Sequence, residues 1–354
     1  MWPRISILAM ALCVGISTMG DFAVAPGSGV PIEVLFAQAS LVCNCYVDSI
    51  QEEITPIEIR GRTSQRHHVT AHVVVRDLYK QDGPQGMSFS VQYVMDEQQG
   101  IRVAGSRLGL AKGESALLFV VKNATNTYEF ADPFIGVVQF VSLPNQEGSP
   151  SLLKLQNVLA SLAREDGSKD QLNALQVLLG FQHITQTTIS VVTPLSESPD
   201  PNIALTAIGI LLRTKSATSV QRLQRYLAAH TSETEPLALY VIGPELSEIR
   251  SEEALAVLEL LSQSKFRPVK SGAMDAIRGI KSPKSIPFLM AKLSDPDKDV
   301  QYVALISAAE ILGKYEDNFA PSMYLFDQKP QYYLGLWKQW WTEEGSRFYP
   351  QDAP

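Results

Sequence analysis

Two cysteines two residues apart, Cys43 and Cys45 in the run Val42-Cys-Asn-Cys-Tyr46, and three nearby histidines, His67, His68 and His72, are the residues here whose types and spacing could do chemistry. Thiolate and imidazole together suit a soft ion such as zinc or copper. Two thiols can instead bond to each other or across a dimer in an oxidising compartment, or stand as relics of lost partners. In a strand, His68 and His72 share a face with Thr70 between them and lie about 13–14 Å apart, too far to reach one ion together. A metal set therefore needs Cys43, Cys45 and His67, and the other histidines read as a solvated strand face.

Catalytic chemistry has no local signature. G-x-S-x-G, H-E-x-x-H, the P-loop and G-x-G-x-x-G are all missing from the sequence, and with them the usual nucleophile, metal and phosphate sites. Gly105-Ser-Arg-Leu-Gly109 reads as a turn. The carboxylate pairs Glu52-Glu53 and Glu252-Glu253 read as helix starts, where the macrodipole favours them. The expectation is a protein that is not an enzyme and carries no cofactor. With 37 acidic against 30 basic residues and a formal net charge of −7, no basic patch of the size nucleic acid requires is visible.

The elements that would position the cysteines are strands. Val69, Ala71, Val73 and Val75 alternate with polar residues, as do Met87, Phe89, Val91, Tyr93 and Met95, the period of a half-buried strand. Asp82-Gly-Pro-Gln-Gly86 between the two runs reads as a turn, so they form a hairpin. Leu117 to Val121 is apolar on both faces and reads as a buried strand, Tyr128 to Phe130 is short, and Ile135 to Val141 closes the set. Five or so short strands in about 100 residues suggest a small barrel or sandwich. A C-x-C entering the first strand, a helix-like Val47 to Ile54, and strands ending in Lys112-Gly-Glu-Ser-Ala-Leu-Leu-Phe119 resemble the netrin or tissue-inhibitor-of-metalloproteinases type of OB barrel. That resemblance implies a secreted protein whose two N-terminal cysteines bond to later ones, and this chain has no cysteine after Cys45. In the inhibitors the first cysteine, as mature N-terminus, chelates the protease zinc, a role that would fall to Cys43.

The second half repeats. An offset of 66 residues carries Lys215-Ser216, Ser219, Val220, Leu223 and Leu227 onto Lys281-Ser282, Ser285, Ile286, Leu289 and Leu293, and Ile203 and Ala207 onto Val269 and Ala273. A period of this kind marks a solenoid, each unit a helix–turn–helix about half the block. The turn Leu293-Ser-Asp-Pro-Asp-Lys-Asp-Val300, running into Val303, Ala304, Ile306 and Ala308 at helical spacing, resembles HEAT repeats. Gln301 stands where that pattern often has Arg, and Asp200-Pro201 is one step out of place. Helices are expected at 172–180, 187–192, 203–213, 219–229, 237–242, 252–261, 269–280, 284–293 and 300–314. Trp337, Trp340 and Trp341 then fall at i, i+3 and i+4 of one helix, read as a terminal cap with at least two rings buried near Ala304, Ala308 and Ile311.

The chain opens with Arg4 and the uncharged apolar run Ile5 to Met19, 15 residues, short of the roughly 20 of a membrane span and in the form of a secretory signal. Candidate cuts follow Gly20, Ala25 and, preferred, Ala39. The organisation expected is a signal peptide and leader at 1–39, a netrin-like five-stranded β-barrel at 40–143, a linker and entry helix at 144–164, HEAT-type repeats forming an α-α superhelix at 165–314, and a Trp-rich cap at 315–354. The polar run Pro144 to Pro150 reads as flexible, so that a fragment from Ser151 would fold alone. The functional expectation is a secreted or periplasmic protein-binding scaffold acting through the solenoid surface. The alternatives are a metalloprotease-inhibitor-like protein using the Cys43/Cys45 edge and an envelope metal-binding protein using Cys43, Cys45 and a nearby histidine. Membrane attachment is expected only if the N-terminal segment stays uncleaved, and Asn123-Ala-Thr125 matches a glycosylation acceptor.

Overall fold

A computed structural model describes residues 30–59, 62–81, 87–98, 101–104, 110–124, 127–132, 137–140, 148–165, 169–230, 239–315 and 318–348. The apolar leader to residue 29, the turns at 82–86 and 105–109, the linker residues 144–147 and Thr125 of the glycosylation triplet lie outside the described residues.

The N-terminal region is one mixed sheet of β1 (Leu41–Ile59), β2 (Arg62–Gln81), β3 (Ser88–Gln98), β4 (Ile101–Ala104), β5 (Ser115–Lys122), β6 (Tyr128–Phe130) and β7 (Val137–Phe140). The order runs β1-β2-β3-β6-β5, and β5 pairs back onto β1 from Leu41↔Val120 to Tyr46↔Ser115, closing a ring of strands. β4 extends from β3 and β7 from β5; the β3–β6 contact at Val91↔Tyr128 is parallel. The alternation read from the sequence sets the faces. Ala71, Val73, Val75, Phe89 and Val91 fill the ring with Cys43, Cys45, Val47, Leu118 and Val120.

The segment from Val47 to Ile54, which looks helix-like in sequence, is strand. Its register with β2 is unbroken from Ser49↔His72 to Ile59↔Arg62, and its β-branched Ile50, Ile54, Thr55 and Ile57 suit a pleated ladder. Glu52 and Glu53 therefore sit in mid-strand, not at a helix start. Three register shifts, all before Ser49, let β1 bend around the ring before it straightens into the hairpin.

α1 (Ile32–Gln38) precedes the sheet, inside the stretch 1–39 expected to be signal and leader; after the sheet come α2 (Leu152–Leu162), α3 (Lys169–Leu179), α4 (Gln186–Leu195), α5 (Pro201–Leu212), α6 (Ala217–Ala229), α7 (Leu239–Ser247), α8 (Leu255–Leu261), α9 (Arg267–Ile280), α10 (Ile286–Lys292), α11 (Lys298–Leu312), α12 (Met323–Gln328) and α13 (Pro330–Trp340), with α3 to α11 where the sequence spacing puts helices. Starts are capped by side chains: the Asp200 carboxylate accepts from the Asn202 N–H with Pro201 at the first helical position, and Ser216, Asp297 and Ser322 cap α6, α11 and α12. Such caps are each worth about 1 kcal/mol. The Asp-Pro step that looks misplaced in the sequence is thus the cap of α5 itself.

The 66-residue echo reaches the backbone. Lys215 and Lys281, one offset apart, both adopt a left-handed conformation with φ 55°, which costs a non-glycine residue roughly 1–2 kcal/mol. Each hands over to a serine whose hydroxyl accepts a hydrogen bond from the turn that follows, Ser216 from the Ser219 N–H and Ser282 from the Lys284 N–H. Helices pack on neighbours and next-but-one neighbours: α5 on α6 and α7, α7 on α9, α9 on α11. α7 and α9 approach through glycines. A Cβ on Gly272 would strike the Gly243 carbonyl, and one on Gly243 would stand 2.8 Å from the Pro268 carbonyl oxygen.

The ring and the first helices share a core. Leu35 of α1, Val42, Tyr79, Leu117, Phe119 and Phe140 of the sheet, and Leu155, Val158 and Leu159 of α2 form one buried cluster. Lys154 of α2, itself buried, places Nζ 2.5 Å from Asp77 Oδ1 and 3.3 Å from the Leu78 carbonyl. Asn173 of α3 donates to the Gln139 carbonyl at 2.8 Å. α1 is pinned at both ends. Glu33 accepts from the N–H groups of Gln182 and His183, and Lys80 donates to the Phe36, Ala37 and Ala39 carbonyls at the helix C-terminus, where a cation is favoured.

At the other end Trp337 is fully buried, donates Nε1–H to the Phe319 carbonyl at 2.9 Å and packs edge-on to the Phe319 ring. Trp340 and Trp341 are half-buried, so one ring of the three is fully enclosed. Trp340 packs on the edge of Trp337 at 5.5 Å, and Trp341 lies outside Trp340. Trp337→Ala is expected to cost about 3–5 kcal/mol and Trp341→Ala much less; urea melts of both variants decide, and equal losses would contradict the difference in burial.

The shared core changes the expectation for a fragment beginning at Ser151. Without the sheet, Leu155 and Leu159 lose the cover of Leu117, Phe119 and Phe140. The fragment should be helical by circular dichroism but melt below the full chain and bind an apolar dye; a transition matching that of the full chain would show that the helices need no cover from the ring.

Candidate functional site

The thiols lie inside the ring. Cys43 and Cys45 are free, fully buried and two apart on β1, with β2 on one side and β5 on the other. The hydrogen bond to the Cys45 thiol comes first, with burial second, in pushing the Cys43 thiol well above its ordinary range, the opposite of what a nucleophile or metal ligand needs. His67 is not with them. It lies eight residues along β2 from Val75, the partner of Cys45, about 26 Å of strand contour. The set Cys43, Cys45 and His67 is therefore not assembled, and among the described residues no group of three or more His, Cys, Asp or Glu is placed to hold a metal ion.

His67 is instead 1 % exposed and faces inward, its Nδ1 2.6 Å from Glu52 Oε1. Glu52 stands opposite Val69, two residues from His67, the diagonal same-face relation of an antiparallel pair. This pair has no trace in local sequence. It becomes visible only once the hairpin register is known, since both residues are merely alternate members of their strands.

His68 and His72 share the outer face, as their spacing implies. The outer face is ordered in rows across three strands: Ser49–His72–Ser90, Gln51–Thr70–Gln92 and Glu53–His68–Val94. His72 Nδ1 lies 3.4 Å from Ser90 Oγ, and Thr127 donates to Gln92 Oε1 at 3.3 Å. Over this face lies an open cleft of about 960 Å³ lined by Gln51, Glu53, His68, Thr70, Gln92 and Glu129 among others. Its lining mixes hydroxyls, amides, an imidazole and carboxylates with Val94, Tyr93 and Phe130, so it can bind by hydrogen bonds, charge and apolar contact.

On the helical side, ion pairs recur between successive units at a separation of 32 residues: Arg213 with Glu245 at 2.5 Å, Arg267 with Asp299 at 3.2 Å, and Arg278 with Glu310 in a two-pronged contact. Burial pushes the Glu245 carboxyl above its ordinary range, and Arg213 only partly offsets this. Exposed apolar side chains gather toward the end of the chain: Tyr315, Met323, Tyr324, Leu325 and Tyr332. Sequence reasoning singled out the tryptophans of this end; the exposed tyrosines were missed, because exposure of a tyrosine depends on which helix face its neighbours cover. Among the described residues no helix is long and apolar enough to cross a membrane.

No protein-family model and no curated protein matches the chain. Among solved structures, one engineered protein is similar at 18% identity and a TM-score of 0.34, covering 52% of this chain and 96% of that one. A second engineered protein is similar at 19% identity and a TM-score of 0.32, covering 45% of this chain and 48% of its own length. At these scores neither likeness bears on fold or function.

Burial of both thiols sets a direct expectation. A thiol-specific reagent should leave Cys43 and Cys45 unmodified in the native protein and label both in denaturant; rapid native labelling of either would contradict their enclosure between β2 and β5.

Proposed function

We propose that the chain is an exported, non-catalytic scaffold that binds another protein through its helical surface, its ring being a small OB-type barrel of the netrin-like kind and its helices a HEAT-type solenoid. The observation that carries this reading is the combination of a unit-to-unit helix stack with five exposed apolar side chains, Tyr315, Met323, Tyr324, Leu325 and Tyr332, in its last elements. Repeat stacks present extended surfaces, and exposed aromatic residues rimmed by polar ones are the usual anchors of protein contacts. Export rests on the uncharged apolar run Ile5 to Met19 behind Arg4, the form of a secretory signal. The inhibitor-like alternative draws no support from Cys43, which is enclosed in mid-sheet with α1 ahead of it, and the metal-binding alternative draws none from thiols and a histidine held far apart.

The test begins with the full chain as bait in the native envelope or medium and identification of the captured protein. Tyr324→Ser with Tyr332→Ser should then weaken the purified pair about tenfold or more, as loss of an aromatic anchor does, while the melting transition stays within about 0.5 kcal/mol of the parent. Unchanged affinity in that variant would remove the terminal surface from the reading.

A further inference from the structure

Four strands contribute to one polar row along the cleft on the outer face of the sheet. Gln51 of β1 stands opposite Thr70 of β2, and Thr70 opposite Gln92 of β3. Glu129 of β6 follows Tyr128, which meets Val91 in the parallel contact, and so falls beside Gln92. With neighbouring strands about 4.8 Å apart, this row runs about 14 Å across the sheet. A second row, Glu53–His68–Val94, lies two residues along the strands, about 7 Å away. Members of both rows line the cleft, together with Thr55 and the half-buried Phe130. Its volume of about 960 Å³ is near the upper end of small-molecule sites, roughly 300–1,000 Å³.

The chemistry of the rows selects a ligand. Gln51, Thr55, Thr70, Gln92 and a neutral His68 can each both donate and accept, while Glu53 and Glu129 accept. Thr127 donates to Gln92 Oε1 at 3.3 Å and Asn123 to Glu129 Oε1 at 2.8 Å, contacts that hold these two side chains against β6. A matching ligand must carry closely spaced groups that are themselves both donors and acceptors. Sugar hydroxyls have that property, and the planar end of an amide or carboxylate spans two adjacent hydroxyls of a pyranose. Val94, 47 % exposed, and Phe130 stand among the polar groups and suit the C–H face that a pyranose also presents. Charge narrows the choice. The described residues lining the cleft include carboxylates and no Lys or Arg, so a phosphate- or uronate-bearing chain would enter against like charge.

We infer that this cleft binds an uncharged oligosaccharide, laid across β1, β2, β3 and β6 with its hydroxyls on Gln51, Thr70, Gln92 and Glu53 and a C–H face on Val94. The site lies on the sheet and not on the helical surface, so either can stand without the other. The probes are the hexamers of β-1,4-linked glucose, α-1,4-linked glucose and β-1,4-linked N-acetylglucosamine, with the galacturonic acid hexamer as charged counterpart, each titrated by calorimetry into the full chain. At least one neutral hexamer should bind saturably, and the galacturonate hexamer should not. Changing Gln51→Ala and Gln92→Ala together, both at exposed positions, should raise the Kd of that neutral hexamer about tenfold or more, the effect of losing hydrogen bonds from two side chains. Circular dichroism and the melting transition of the double variant should match the parent, as for other surface substitutions. Failure of all three neutral hexamers to bind, galacturonate binding as tight as theirs, or an unchanged Kd in a folded double variant would each overturn the proposal.

Discussion

Strand β5 is buried on both of its faces, and much else follows from that constraint. Leu118 and Val120 point into the ring while Leu117 and Phe119 point out of it. A strand apolar on both sides needs cover on both. The ring supplies one cover by closing on itself; the other comes from α1 and α2, which carry Leu35, Leu155 and Leu159 onto the outward face. The junction between sheet and helices is therefore a packed core. Burying a side chain the size of leucine or phenylalanine is worth about 1.5–3 kcal/mol, so the residues meeting there account for a large part of the stability of either side.

Polar groups trapped at this junction must be matched. Lys154 is buried with Asp77, and a buried pair gives little net stability but is costly to break, about 3–5 kcal/mol when one partner is removed. Lys154 ties α2 to the sheet at Asp77 and the Leu78 carbonyl. α5 plays the corresponding part farther along. Ala204, Leu205 and Ile208 face the core of the later helices, while Ile203, Ala207 and Ile210 face the core shared with the sheet, so that a single helix couples two hydrophobic clusters.

Much of this is legible in the sequence. The alternation of Val69 to Val75 and of Phe89 to Met95 gave strands and faces, the double-sided apolarity of Leu117 to Val121 gave a buried strand, and the 66-residue echo placed the helix pairs to within a few residues. What could not be read were the properties that depend on register and on distant cover. Val47 to Ile54 became strand because β2 offered a ladder. His67 found Glu52 because the hairpin register put them diagonally, and Cys43 and Cys45 were withdrawn from chemistry by neighbours arriving from β2 and β5. The polar stretch ahead of Ser151 suggested independence of the two regions, whereas the apolar face of α2, equally present in the sequence, had no visible destination until the sheet was known.

The placement of α1 bears on the order in which the chain can fold. Glu33 reaches the backbone of Gln182 and His183 across a separation of 149 and 150 residues, and Ile32, Leu35 and Ala39 are buried against elements made much later. Contacts so distant in sequence form late, since loop closure must precede them. During synthesis α1 must therefore remain unsatisfied until the chain has been made through His183, just beyond α3. Its apolar face is a transient liability of the kind holdase chaperones cover, and the step that ends this exposure is the docking of α1 over the finished junction.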